Sequence, residues 1–273
     1  MLDQIHRVCL AHFLCRFDPT SKKRKTRDVV REVALECYSP EKVNEFLDER
    51  LAIFQRALVD EFNWRYSNKA PLRFQIADTS GVGDWVAGYR SSRIAKEIAF
   101  QDALHRLDPL EFERLSAVIL KVLGCAEAFF TPQSHDQGVD AFGYQEIVAT
   151  TPYGTTHKLT WIAQAKHYFA SGPSTGDVRE LVGSKELLVT KVFSTVKERY
   201  TDLRLRPYAP TAIALITTEE IPSTSRRLAE RAGVYMFAAS DLLHLLSSRL
   251  KVFTATTIRA LLKKEQKSIP TLV

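Results

Sequence analysis

The chain has 273 residues, 45% of them apolar, and carries 38 Lys and Arg against 32 Asp and Glu, for a net charge of +6 and a pI near 9.1. That length suits one large domain or two smaller ones with real cores, and the basic balance is compatible with a polyanionic partner such as nucleic acid. No apolar run reaches the roughly 18–20 residues of a spanning helix, no secretion-signal pattern opens the chain, and the scattered Cys9, Cys15, Cys37 and Cys125 form no C-x-x-C pair, which argues against a zinc or disulfide framework and for a reducing, cytoplasmic setting.

In chain order, residues 1–17 read as a helix with Ile5, Val8, Cys9, Phe13 and Phe17 inward. The basic run Ser21–Arg27 has two readings, a phosphate contact or a solvated linker, and the linker is preferred. Arg27–Tyr38 is helical, with Val29, Val30, Val33, Ala34 and Cys37 on one side. Ser39-Pro40-Glu41 starts a further helix: Ser as N-cap, Pro at the first position, an acid in the first turn. Its apolar stripe (Val43, Phe46, Leu47, Leu51, Phe54, Leu58, Val59, Phe62) predicts one helix as far as about Tyr66, with charged residues around the rest of its surface.

Residues 67–90 break the pattern. Thr79–Trp85 (TSGVGDW) has the glycines of a phosphate loop but lacks its Gly-Lys-Ser/Thr ending and a preceding buried strand, so a nucleotide site is discounted and a loop packing Trp85 is expected. Arg90, Arg93 and Lys96 cluster at the start of another helix.

Asp108-Pro109-Leu110-Glu111 carries an N-cap, a first-position proline and a capping-box acid. The helix they open has Phe112, Leu115, Val118, Ile119, Val122 and Leu123 on its apolar face and stops at Gly124. Ser134–Lys166 then reads as two strands joined by a loop at Pro152-Tyr153-Gly154. Residues 176–188 are helical, and 190–210 are irregular and charged. Thr211–Thr217 is a buried strand, Ser223–Ala232 a helix, Val234–Phe237 a strand and Ser240–Ser248 a helix. The tail after Lys263 reads as loose. Alternating buried strands and helices argue for an α/β architecture in this half.

Side chains alternate along a strand. In Thr160–Lys166, Gln164 and Lys166 share one face, while Trp161, Ala163 and Ala165 share the other. An amide and an ammonium on one face of an apolar strand need partners, because burying them alone is costly. Asp140, at the start of the neighbouring strand, supplies the balancing charge.

These pieces together resemble the Mrr-like branch of the PD-(D/E)XK nuclease superfamily. The resemblance is carried by Pro109–Glu113 with Leu123-Gly124, by Asp136-Gln137-Gly138-Val139-Asp140, by Gln164-Ala165-Lys166-His167-Tyr168, by Val178–Gly183 and by the strand-helix-strand-helix run from Thr211 to Leu246. It spans roughly residues 107–250. It implies an α/β fold, a restriction-endonuclease-like αβββαβ core with a mixed sheet, in residues 105–273. A mostly helical module, residues 1–104, precedes it and serves DNA reading, regulation or dimerisation.

In that family pattern Asp140 is a metal ligand, Gln164 takes the position more often held by Glu, the Ala165 backbone oxygen completes the ligand set, Lys166 orients and helps deprotonate the attacking water, and the helical Glu113 completes the site. Gln137 departs from the commoner Asp-Gly-Gly-Val-Asp form, and Asp136 is assigned a hydrogen bond within the turn. Oxygen ligands without cysteine point to Mg²⁺, with Mn²⁺ as a substitute. His135 and His167 flank the motif and are left out of the catalytic set. The implied activity is a metal-dependent endonuclease on double-stranded DNA, of a restriction or phage-defence type. It is expected to work as a homodimer, with a possible regulatory protein partner. A junction-resolving or repair nuclease and a catalytically silent DNA-binding subunit are the alternatives.

Overall fold

The computed structural model describes residues 2–78, 80–89, 92–131, 138–148, 156–169, 172–190 and 209–269. They fall into two compact units. One holds Met1–Ile98 with Tyr168–Gly172 and Glu219–Ser223; the other holds Ala99–His167, Pro173–Thr218 and Thr224–Val273.

The first unit opens with α1 (Leu2–Ala11) and a wide π turn at His12–Arg16, in place of one helix through residue 17. β1 (Arg24–Lys25), α2 (Thr26–Leu35), α3 (Pro40–Glu49) and α4 (Leu51–Ser67) follow, then β2 (Phe74–Ile76) and β3 (Trp85–Gly88). The strands form an antiparallel sheet in the order β1-β3-β2. Its core is aromatic: Phe13 stacks on Phe17 at 5.1 Å and meets Phe74 edge-on at 5.5 Å, with Phe46 and Phe54 fully buried beside them.

Three expectations change here. The helix expected from Ser39 to Tyr66 is two helices, broken at Arg50 (φ −122°, ψ −9°). A bend at one residue leaves the spacing of apolar side chains intact, so periodicity does not register it. The basic run is no linker: Arg24 and Lys25 pair with Val86 and Trp85, and Thr26 begins α2. Trp85 likewise sits in a strand, with the Lys23 and Lys25 ammonium groups 5.0 and 5.8 Å from its ring centre. The neighbouring Thr79–Trp85 segment resembles a phosphate loop for a physical reason. Its Gly83 and Asp84 N–H groups donate to the Asp78 carboxylate at 2.8 and 2.6 Å, so the chain's own acid occupies the amides an anion would need.

This unit also buries ions on the face of α4 that carries Phe54 and Leu58, where charge alone had assigned them to solvent. Arg65 is 1% exposed; its guanidinium donates to Glu61 at 2.6 Å, to Glu220 at 3.4 Å and to the Pro71 and Ile221 carbonyls at 3.0 Å each. Glu61 in turn accepts the Ser223 N–H at 2.9 Å.

The second unit takes the later part of α5 (Ser92–His105), then α6 (Pro109–Val122), β4 (Glu127–Phe130), β5 (Ala141–Val148), β6 (Thr156–Lys166), α7 (Thr175–Val189), β7 (Thr211–Thr217), α8 (Ser223–Ala232) from its second residue, β8 (Val234–Phe237), α9 (Ala239–Leu246) and α10 (Ala255–Glu265). The Asp108–Glu111 capping box forms in both directions, at 2.7 and 3.0 Å. Gly124 ends α6 in the left-handed region, at φ +104°. The sheet order is β4-β5-β6-β7-β8, antiparallel through β6 and parallel beyond it. This is the mixed αβββαβ core that the resemblance implied. Trp161, Ala163, Ala141, Ala212 and Ala214 line one face, in a core with Phe112, Leu115 and Ile119 of α6. The small alanines let the helix approach closely. The tail is not loose as far as residue 269: Lys263 lies within α10, and Ile269 is buried in the same core.

Candidate active site

Strand register builds the site. Ala141 pairs with Ala163 and Phe142 with Ile162. The Asp140 N–H donates to the Ala163 carbonyl at 2.9 Å, which extends the ladder one residue. The Asp140 carboxylate then accepts the Ala165 N–H at 2.6 Å, and the residue is 6% exposed. In an extended strand a residue's N–H and C=O project to the same edge, so the Ala165 carbonyl also faces the Asp140 side.

Alternation sets Asp140 on the face of Phe142 and Ile162, and Gln164 and Lys166 follow on that face. α7 covers it. Lys166 Nζ lies 3.6 Å from Glu180 Oε1. A Cβ on Gly138 would fall 2.7 Å from Gln164 Nε2 and 3.4 Å from Ser184 Oγ. Gly138 is itself left-handed, at φ +75°. The backbone geometry favours glycine, and any Cβ there would have to displace the Gln164 amide from its present place.

Gln164 is 3% exposed, and its Oε1 is buried without a hydrogen-bond partner. A buried acceptor with no donor is costly, and a cation relieves that cost as a donor does. Among the described residues no three His, Cys, Asp or Glu side chains converge. The donors gathered here are instead one carboxylate, one amide oxygen and one main-chain oxygen, all hard. They fit an oxygen-liganded divalent cation.

The structure therefore brings together Asp140, Gln164, Ala165 and Lys166. Glu113 stands half-buried on α6, the helix that covers the opposite face of the sheet. His167 points with the α6 face as well: its Nε2 is 3.1 Å from the Leu104 carbonyl and its ring 5.4 Å from that of Phe112, apart from the Lys166 side. His135, Asp136, Gln137 and the Pro152–Gly154 loop lie outside the described residues, as do Arg90 and most of the charged 190–210 stretch.

Two contributors carry no assigned role in the sequence reading, Glu180 and Ser184. They are spaced i, i+4 on α7, on the flank of the helix next to its buried Val178, Leu181 and Leu188. A polar pair at helical spacing beside an apolar stripe is also what a solvated helix face shows, so the sequence did not mark them.

The Mrr catalytic family model, a restriction endonuclease domain, matches residues 104–246. Two solved structures share similarity. One is the MspJI restriction endonuclease in complex with a 27-mer oligonucleotide, at 16% identity over 67% of this chain and 39% of that one, with a TM-score of 0.48. The other is the DNA modification-dependent restriction endonuclease AspBHI, at 18% identity over 66% of this chain and 43% of that one, with a TM-score of 0.46. The chain thus spans about two fifths of the length of either. No curated protein matches it.

Proposed function

The chain belongs to the Mrr catalytic family of restriction endonucleases, and from that premise we propose that it hydrolyses phosphodiester bonds of double-stranded DNA in a Mg²⁺-dependent reaction. The observation that carries this reading is the buried, partnerless Gln164 Oε1 beside the Asp140–Ala165 hydrogen bond, on the face that also presents Lys166.

Asp140, Gln164 Oε1 and the Ala165 carbonyl would hold the cation, with Mn²⁺ able to replace Mg²⁺. When bound, it supplies charge stabilisation for the scissile phosphate and its leaving oxygen. The protein's own groups do the positioning. The Ala165 N–H fixes one carboxylate oxygen of Asp140, which sets the direction of the other. Gly138 leaves room for the Gln164 amide. Lys166 Nζ, steered by Glu180, donates to the attacking water and the scissile phosphate and holds the water in line with phosphorus. Glu113 completes the acid set from α6. A neutral amide at position 164 leaves one negative charge fewer than the glutamate common at this position, so metal retention leans on the substrate phosphate.

The role that fits best is restriction or phage defence. Residues 1–104 act as the DNA-reading, regulatory or dimerising module of a homodimer, since a double-strand cut needs two sites. The test is supercoiled plasmid with Mg²⁺ against EDTA, for wild type and Asp140→Ala. Cleavage by the wild type is expected only with the metal. The variant should lose at least about a hundredfold in rate, roughly 2.7 kcal/mol of transition-state stabilisation. Binding of DNA by both proteins with nicking by neither, on modified or unmodified plasmid, would make the chain a silent binder instead.

A further inference from the structure

We propose that Lys22, Lys23 and Lys25, with Trp85 beneath the last two and the first turn of α2 beside them, form a contact for the backbone phosphates of duplex DNA, independent of base sequence. This deepens the nuclease reading and rests on it for the choice of polyanion.

The segment 22–31 holds six cations against one acid, Asp28. A run like this is most often a solvated face, so its fixed geometry is what decides. Its three arginines have partners: Arg24 pairs with Glu32 at 2.5 Å, Arg27 with Asp48 at 3.0 Å, and Arg31 donates to Asn44 at 2.6 Å. The three lysines are exposed and make no ion pair with any described residue. Lys23 and Lys25 are two residues apart and so share a face. Both ammonium groups are held near one indole ring, at 5.0 and 5.8 Å. Attraction to the ring lowers the ordering cost of each side chain when it meets an anion.

The backbone adds to this. Lys25 is the N-cap of α2, and no side chain caps that helix end, because the Thr26 hydroxyl is turned to the Gly83 carbonyl. The Thr26 N–H is taken by the Asp84 carbonyl at 2.8 Å and Asp28 stands in the first turn, so what the helix adds beside the lysines is its remaining first-turn amides and the positive end of its ten residues. β1 is an edge strand of the β1-β3-β2 sheet, with its outer side uncovered by another strand.

The experiment is binding of a labelled duplex to the full chain by fluorescence anisotropy, in EDTA, across about 50–200 mM salt and on two unrelated sequences. Each phosphate contact contributes about 0.9 to the slope of log Kd against log salt. Lys22→Gln/Lys23→Gln/Lys25→Gln is expected to lower that slope by about 2.7 and to weaken binding tenfold or more at ~100 mM salt, equally on both sequences. Trp85→Leu should weaken binding a few-fold without removing charge. If the triple variant melts below the wild type, Lys23→Gln alone, outside the strand, carries the test with a slope change of about 0.9.

An unchanged slope and affinity overturns the proposal and turns the patch over to an acidic protein partner. A loss confined to one sequence overturns it too. The two readings separate cleanly. Wild type that cleaves while the triple variant binds normally sinks this surface and keeps the nuclease; wild type that binds with a lysine-dependent slope but never cleaves does the reverse.

Discussion

Gly138 shows how tightly the site is drawn. Its φ of +75° and the 2.7 Å approach of a would-be Cβ to the Gln164 amide act on the same atom. Gly138→Ala is expected to cost about 1–2 kcal/mol in backbone conformation and to push the Gln164 side chain off its present position. Single-turnover cleavage should fall at least about tenfold, more than the loss of stability explains, and thermal melting beside the rate separates the two. An alanine variant cleaving at the wild-type rate would mean that Gln164 has no fixed place in the chemistry. Asp140, Gln164 and Lys166 were legible as residues because a polar pair on an apolar strand demands a partner. Glu180 and Ser184 were not, because a helix face acquires meaning only once its neighbour is known.

At the scale of the element, α4 is where pattern and structure part. Its apolar stripe was read correctly, but the stripe leaves out Glu61 and Arg65, which a helical wheel sets on the face of Phe54 and Leu58 and which only their charge assigned to solvent. They are 2% and 1% exposed; Arg65 donates to Glu61, Glu220 and the Ile221 carbonyl, and Glu61 accepts the Ser223 N–H, partners that for the most part lie some 155 residues away in sequence. Removing one partner of a buried ion cluster leaves the others uncompensated. Arg65→Met should destabilise its unit by about 3–5 kcal/mol, whereas replacing Glu61 and Glu220 by Gln in the same protein should restore part of that loss. Urea unfolding decides it: a single variant within about 1 kcal/mol of wild type would show that the cluster is solvated in practice. The capping box at Asp108 is the opposite case, since every group it uses lies within four residues and the sequence alone predicts it.

For the whole molecule, the charge state sets a pH window. His12 lies edge-on to Phe13 and Phe17, and burial, with Arg16 nearby, holds its imidazole down at about 4. The unfolded chain takes up that proton near 6.5. Stability is therefore fully present above 6.5 and is lost as pH falls toward 4. Glu111, held below the usual carboxylate range by its hydrogen bonds to Arg259, acts with the same sign at lower pH. Between pH 7.5 and 4.5 the His12 contribution amounts to about 2–3 kcal/mol. Urea midpoints of the His12→Gln variant should fall less steeply over that range than those of the wild type. Parallel curves would show that the imidazole is solvated.

The sequence by itself determined most strands and helices of the second unit, though not β4 or α10, and with them the two faces of β6 and three of the residues that meet at its end. All of these follow from periodicity, from caps and from the cost of burying an unpaired polar group, and each acts within a few residues. Tertiary structure alone decided the bend at Arg50, the sheet that absorbs the basic run, the burial of Arg65 and the pairing of Lys166 with Glu180. Those depend on which distant segment comes to lie alongside, and a local pattern holds no record of its partner.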